Sequence, residues 1–256
     1  MEWAHGTYED VEEMTKEQVC ILPIGCLEPH AKHLPTGNDA LIAHQWALMV
    51  AEQEPVAVLP PLFYGYAKST RHLPGTISLD TDVLLALLEN ICDEAARNGF
   101  KKILLLNGHG GNNSLLDVFR QHLSDREKDY AVYLTPIFLV TDVIEELRET
   151  KDWGHACEIE SSVSLYLFPE HCKMDRLPDG YFTSRQDFDI GPARIPLSWY
   201  TSHPETYIGD AHKASPEKGR RITEAQVERL ADTVRKIKQD DRVLEKLREY
   251  NALSNT

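Results

Sequence analysis

The sequence is short of positive charge. Its 256 residues hold 27 Lys and Arg against 41 Asp and Glu, a formal net charge of −14. Phosphate contacts need cations, so this balance argues against nucleic acid and against anionic membranes as partners. No apolar run approaches the roughly 20 residues of a membrane-spanning helix. The first twenty residues, MEWAHGTYEDVEEMTKEQVC, are acidic and lack the apolar stretch of a secretory leader. The five cysteines, Cys20, Cys26, Cys92, Cys157 and Cys172, are scattered and form no CxxC pair. That excludes a Cys-rich structural zinc site and leads us to expect reduced thiols in a cytoplasmic protein. Internal repeats and low-complexity linkers are missing as well. One domain over residues 1–256 is expected.

What is present alternates. The run VCILPIG (19–25) reads as a strand, apolar on both faces as a central parallel strand should be. Residues 39–53 have helical spacing, and VAVLPPLFYG (56–65) reads as a second strand broken by Pro60 and Pro61. A helix follows, capped by Asp80 or Thr81, with Leu84, Leu85, Leu88 and Ile91 facing the core and Gly99 as its stop. Then come a strand (101–106), a helix (115–125), a strand (130–140) and helices near 142–150 and 158–168. The stretch 170–213, rich in Pro, Gly, Asp and Tyr, reads as a loop-rich insertion. Residues 215–250 read as one charged amphipathic helix. This order predicts an α/β fold: a three-layer α/β/α sandwich with a mostly parallel sheet.

Ligands in such folds bind at the carboxyl ends of the strands. Two polar clusters fall there. CLEPHAKHLPTGND (26–39) places Glu28, His30, His33 and Asp39 within twelve residues. Glu28 and His30 are spaced i, i+2, so in an extended segment both point the same way. Asp39 either returns to that site or caps the next helix. NGHGGNN (107–113) offers His109 on a glycine-rich turn; it matches neither GxGxxG nor a Walker loop. A third cluster, WGHACEIESS (153–162), adds His155, Glu158 and Glu160. On a helix the two glutamates diverge by about 200°. Glu160 shares its face with Val163, Ser164 and Leu167, which favours it as the buried carboxylate. A mixed His, Asp and Glu set suits Zn, Mn or Fe(II).

These segments resemble the creatininase family of metal-dependent amidohydrolases. GCLEPHAKHLPTGND is similar to the family's G-S-x-E-Q-H-G-P-H-L-P-x-x-T-D, and NGHGGN (107–112) matches in full. HACEIESS (155–162) resembles H-A-G-x-x-E-T-S; LPGTISL (73–79) and YIGDAHKASPEKG (207–219) resemble two further family motifs. The resemblance spans about residues 15–225. It implies an α/β/α sandwich, two divalent metal ions (Zn, Mn or Fe) and a homo-oligomer, commonly a hexamer. By resemblance Glu28 binds one ion, His30 and His109 the other, and Asp39 bridges them. The creatinine-cleaving branch has Glu where this chain has Gly111; the N-G-H-G-G-N branch takes its carboxylate from the position of Glu160. His155 takes the place of the family's catalytic histidine, which passes a proton to the leaving nitrogen.

Pro29, Ala31, Lys32 and Cys157 depart from the pattern. With Gly111 they turn the expectation away from creatinine. The expected activity is hydrolysis of a C–N bond in a small cyclic amide or formamide-like molecule by metal-activated water. Alternatives are a non-amide ring (cyclic ketone or lactone), a thiol hydrolase using Cys26 with His30 or His109 as base, and a non-catalytic metal- or small-molecule-binding protein. Trp153, His72 and Tyr64 are candidates for the substrate pocket. His33 reads as structural, His44, Trp46 and Met49 as helix packing, and Tyr66 and the SWY stretch (198–200) as packing in the first instance.

Overall fold

The structure, a computed structural model, describes residues 1–185, 189–193 and 195–254. Four parallel strands form its sheet in the order β2-β1-β3-β4: β1 Val19–Ile24, β2 Ala57–Val58, β3 Lys102–Asn107 and β4 Ala131–Thr135. The period of two along β1 and β3 divides the core. Val19, Ile21, Leu104 and Leu106 face one side, with Trp46, Val50, Ile159, Ile222 and Leu230. Cys20, Leu22, Ile24, Ile103 and Leu105 face the other, with Leu88, Cys92, Leu116 and Phe119. Both faces being apolar, each must be covered by helices. The first is covered by α2 (Asn38–Gln53), α5 (Thr141–Leu147), α6 (Glu158–Leu167) and α8 (Pro216–Gln239). The second is covered by α1 (Tyr8–Met14), α3 (Thr81–Arg97) and α4 (Asn112–His122). The three-layer expectation holds.

Three boundaries differ from the sequence expectation, each for a local reason. The strand expected over 56–65 is regular only at Ala57–Val58; Pro60 and Pro61, with no N–H to donate, interrupt it before an isolated bridge from Leu62 to Ile24. β4 stops at Thr135, before Pro136. The expected single helix over 215–250 is two, α8 and α9 (Arg242–Ser254). The break falls at Asp240 and Asp241; the Asp240 carboxylate accepts the Val243 N–H (3.1 Å), so it starts a new helix rather than extending the old one. Asp80 sits at the N-cap of α3, but its carboxylate turns to Lys68 (2.5 Å).

The 170–213 segment, outside its undescribed residues, contains three short helical turns and one short helix, α7 (Ser198–Ser202). It is stitched to the β1–α2 loop: Ala31 N–H donates to Thr206 O (3.0 Å), and Lys173 N–H donates to His33 O (2.7 Å).

Candidate functional site

The register of the sheet brings the polar segments together. Pro23 pairs with Leu106 and Ile24 with Asn107, so β1 and β3 end at the same level. The chain that leaves β1 carries Cys26, Glu28 and His30; the chain that leaves β3 carries His109. The first turn of α2 lies directly behind both. A Cβ on Gly25 would stand 2.2 Å from Ala40 N, and one on Gly108 would stand 2.3 Å from Asp39 O. Only glycine at these two strand ends lets the helix approach, and that approach sets Asp39.

Asp39 is the centre of the cluster. Its Oδ1 lies 2.8 Å from His30 Nε2, and its Oδ2 lies 2.8 Å from His109 Nδ1. Glu28 Oε1 is 3.1 Å from the same His109 nitrogen. On the other side Glu160 Oε2 is 3.9 Å from His30 Nε2 and accepts the Ala156 N–H (2.6 Å). Two donor groups share Asp39, namely Glu28, Asp39, His109 and Cys26, and His30, Asp39 and Glu160; a third joins Glu28, His30 and His155. The resemblance implied His30 and His109 on one ion; here they face different oxygens of Asp39, and Glu28 goes with His109. Glu160 joins the cluster. Glu158 points away, held by the N–H groups of Glu149 and Thr150 and by Lys218 Nζ (2.5 Å), as helical divergence predicts.

Cations fit this set. Glu28, Asp39, His30 and His109 are all buried, and buried carboxylates need compensation. Each histidine also has one nitrogen tied to a backbone carbonyl and the other turned to the carboxylates. His30 Nδ1 faces Glu28 O (3.1 Å), leaving Nε2 at Asp39; His109 Nε2 faces Tyr66 O (2.9 Å), leaving Nδ1 at Asp39 and Glu28. Such a tether fixes the tautomer with its lone pair toward an ion. Thr70 Oγ1 donates to Glu28 Oε2 (3.2 Å) and orients that carboxylate in the same manner. The carboxylates and imidazoles also shift one another's protonation. Burial pulls His30 down, but Asp39, with Glu160 and Glu28, more than offsets this and raises it to about 10. Burial acts first on Glu160 and pushes it up to about 7, with Asp39 adding to the rise against the pull of His30.

His155 stacks on His30 with ring centroids 4.2 Å apart. Its Nε2 faces Pro29 O (2.9 Å) and its Nδ1 lies 3.6 Å from Glu28 Oε1. Burial, then the neighbouring His30, lower it to about 4. It is a neutral imidazole whose free nitrogen faces the donor cluster. His33 is engaged elsewhere, with Ser161 Oγ at 2.8 Å.

Above the cluster lies a cavity of about 350 Å³, walled by Tyr66, Ile137, His155, Trp199 and Ile208, with Glu28, Asp39, His109 and Glu160 on its floor. None of the three expected substrate residues lines it. Trp153 packs on Phe138 and donates to Glu145 (3.3 Å). His72 faces Pro204 O (2.7 Å) and Tyr200, and the Tyr64 ring is exposed. Trp199 takes their place, its ring edge-on to His155 at 5.2 Å. An aromatic between Pro- and Gly-rich turns was the available signal, and it could not be told from packing. Cys26 does not reach the cavity. It is fully buried, and burial first, with Asp39 and Glu28, raises its thiol well above the usual range. A covered thiol that does not line the cavity is poorly placed to attack a substrate there, which weighs against the thiol-hydrolase alternative.

The creatininase family pattern, described as creatinine amidohydrolase, matches residues 4–234. The chain belongs to the creatininase family. It is 33% identical over 252 residues to creatinine amidohydrolase of Pseudomonas putida, covering 90% of this chain and 94% of that one. It is 27% identical over 261 residues to 3-dehydro-scyllo-inosose hydrolase of Thermotoga maritima, covering 90% and 81%. It is 29% identical over 230 residues to a mycofactocin precursor peptide peptidase of Mycolicibacterium smegmatis, covering 86% and 85%. Among solved structures, a Zn–Zn form of a mutant creatininase superposes with a TM-score of 0.80 at 28% identity, covering 93% of this chain and 98% of that one. A manganese creatininase gives 0.78 at 28%, covering 93% and 99%. This creatininase-family hydrolase thus carries a metal-donor cluster in a fold whose solved relatives include zinc and manganese forms.

Proposed function

We propose that this creatininase-family protein hydrolyses a C–N bond in a small cyclic amide or formamide-like molecule other than creatinine, using two divalent ions held across Asp39. One observation carries the reading: the two oxygens of Asp39 face different histidines, each flanked by a further carboxylate, at the floor of a cavity of about 350 Å³. Glu28, Asp39 and His109 would hold one ion, and His30, Asp39 and Glu160 the other. Bound there, divalent ions supply Lewis-acid polarisation of a carbonyl and an acidified water.

The chain's own residues supply the rest. Tyr66, Trp199, Ile137 and Ile208 form apolar walls that exclude water and hold a flat ring over the floor. His155 Nδ1 stands beside Glu28 with its other nitrogen fixed on Pro29 O, so it takes a proton near the floor and returns it to the departing nitrogen. Among the described residues, neither lysine nor arginine lines the cavity, which suits a neutral substrate.

Gly111 supports the exclusion of creatinine. A Cβ there would stand 2.4 Å from His109 Nε2 and 2.6 Å from Tyr66 O. The glutamate of the creatinine-cleaving branch has no room, and Glu160 provides the third carboxylate from α6. A second reading is hydrolysis of a ring C–C or C–O bond in a cyclic ketone or lactone. The 3-dehydro-scyllo-inosose hydrolase relative favours it, and the same walls would hold such a ring.

The test is metal content by ICP-MS on the chelator-free protein, followed by a hydrolysis screen of the loaded protein. The panel holds cyclic amides, N-formyl compounds, lactones, cyclic ketones, creatinine and short peptides. About two ions per chain and turnover of a cyclic amide or formamide support the proposal. Turnover of creatinine or of peptides alone overturns its substrate assignment, and a protein that holds no ion overturns it entirely.

A further inference from the structure

One donor in the cluster lies outside the ligand set used above. Cys26 stands where the family pattern has serine, and its Sγ lies 3.3 Å from Asp39 Oδ2. Its sulfur, Glu28, Asp39 and His109 each offer a donor atom within 4.8 Å of the others, and all four residues are buried. Donor atoms around a tetrahedral zinc, with bonds of about 2.0–2.3 Å, are themselves about 3.3–3.7 Å apart. The observed separations of 2.8 Å (His109 to Asp39), 3.1 Å (His109 to Glu28) and 3.3 Å (Cys26 to Asp39) reach the lower end of that range with movements of about half an ångström or less. The Cys26 side chain has little freedom to turn elsewhere. Its Cβ is packed against Gly65, where an added Cβ would come within 3.1 Å, and Cys26 is not among the residues that line the cavity.

The geometry points to Cys26 as a thiolate ligand that completes the Glu28–Asp39–His109 half of the site. This rests on the metal-dependent reading above. Entry of the ion displaces the thiol proton to solvent; the step needs no oxidant or other co-reactant. The consequence is chemical asymmetry. The Cys26 half becomes a four-donor Cys, His, Asp, Glu cage that prefers zinc to the harder manganese, whereas the His30–Asp39–Glu160 half keeps only nitrogen and oxygen donors. The ion nearer His109 is then the tightly held one, and its identity is set by residue 26.

Cobalt reports on this directly. The protein is stripped, reloaded with Co(II), counted by ICP-MS and examined by near-ultraviolet absorption. A thiolate-to-cobalt charge-transfer band in the wild type, absent from Cys26→Ser and retained in Cys157→Ala, supports the proposal. In competition between Zn and Mn, Cys26→Ser is expected to lose about tenfold or more of the zinc preference of one ion per chain. Cobalt uptake without the band, or a band that survives in Cys26→Ser, overturns the thiolate ligand and leaves the hydrolase reading standing. Failure to bind cobalt, zinc or manganese overturns both. The wild-type spectrum decides by itself should Cys26→Ser not fold.

Discussion

The floor and the cover of the cavity are built in opposite ways. The floor hangs from strand ends. Cys26, Glu28 and His30 follow β1, His109 follows β3, and Asp39 is pressed against both by α2. Parallel pairing fixes these positions to within a residue, and every donor is close to its neighbours before any ligand arrives. The cover comes from segments of little regular structure. Trp199 and Ile208 lie in the 170–213 stretch, held through single backbone bonds such as Ile208 N–H to His155 O (3.0 Å) and Ala31 N–H to Thr206 O (3.0 Å). A sheet-anchored floor preserves chemistry while a loop-built cover changes specificity. Relatives whose names span creatinine, an inosose and a peptide fit that division.

The floor should fail all at once. Asp39→Ala removes the carboxylate common to both donor groups, so ICP-MS should show loss of both ions and turnover should fall by about 10³-fold or more. Retained metal and activity would break the comparison. Gly111→Glu attacks the floor from above. The side chain must displace His109 or the Tyr66 carbonyl, and overpacking of this sort costs about 1–3 kcal/mol, read as a lower melting temperature together with lost metal.

Glu158→Gln separates two carboxylates that are neighbours in sequence. Metal content should stay unchanged, while stability falls by about 1–3 kcal/mol because Lys218 and the two backbone N–H groups lose a charged acceptor. Burial opposes ionisation of Glu158, but Lys218 and Thr150 more than offset it and hold its carboxyl below the usual range. Its contribution is therefore present above the ordinary glutamate pKa and lost as pH falls through the lowered value, so Glu158→Gln should flatten the acid limb of a denaturation profile.

The cover should fail gradually. Trp199→Ala ought to raise KM about tenfold, the scale of one aromatic contact, with metal content untouched. Equal loss in kcat would instead tie Trp199 to the placement of His155. The smallest effect is expected at Ala31, which sits at φ 50°, in the left-handed region, where the family pattern has glycine. Ala31→Gly relieves about 1 kcal/mol of backbone strain, partly offset by the greater freedom of the unfolded chain. Melting temperature should rise by a degree or two, about that residual.

Much of the floor was legible in the one-dimensional pattern. The apolar runs at 19–25 and 101–106 gave the central strands, because a strand buried on both faces has no polar alternation to hide it. The i, i+2 spacing put Glu28 and His30 at one strand end, though each meets a different neighbour there, and helical divergence favoured Glu160 over Glu158. Proline and aspartate marked where β2, β4 and the terminal helix would be cut, yet their effect depends on which N–H groups the neighbours need, and that is known only once the neighbours are placed.

What the sequence determined by itself, then, is the inventory: an acidic chain with two polar clusters after apolar strands and a third at a helix start, a metal-ligating mixture of side chains, and a cysteine where the family pattern has serine. What only the tertiary structure decided is the grouping. His30 and His109 face different oxygens of Asp39, Glu28 joins His109, Trp199 rather than Trp153 walls the cavity, and the Cys26 sulfur meets Asp39. Residue spacing sets which side chains leave a strand end together. Which of them meet across space is set by the register of β1 against β3 and the close approach of α2 at Gly25 and Gly108, contacts between segments up to about 80 residues apart that local pattern does not encode.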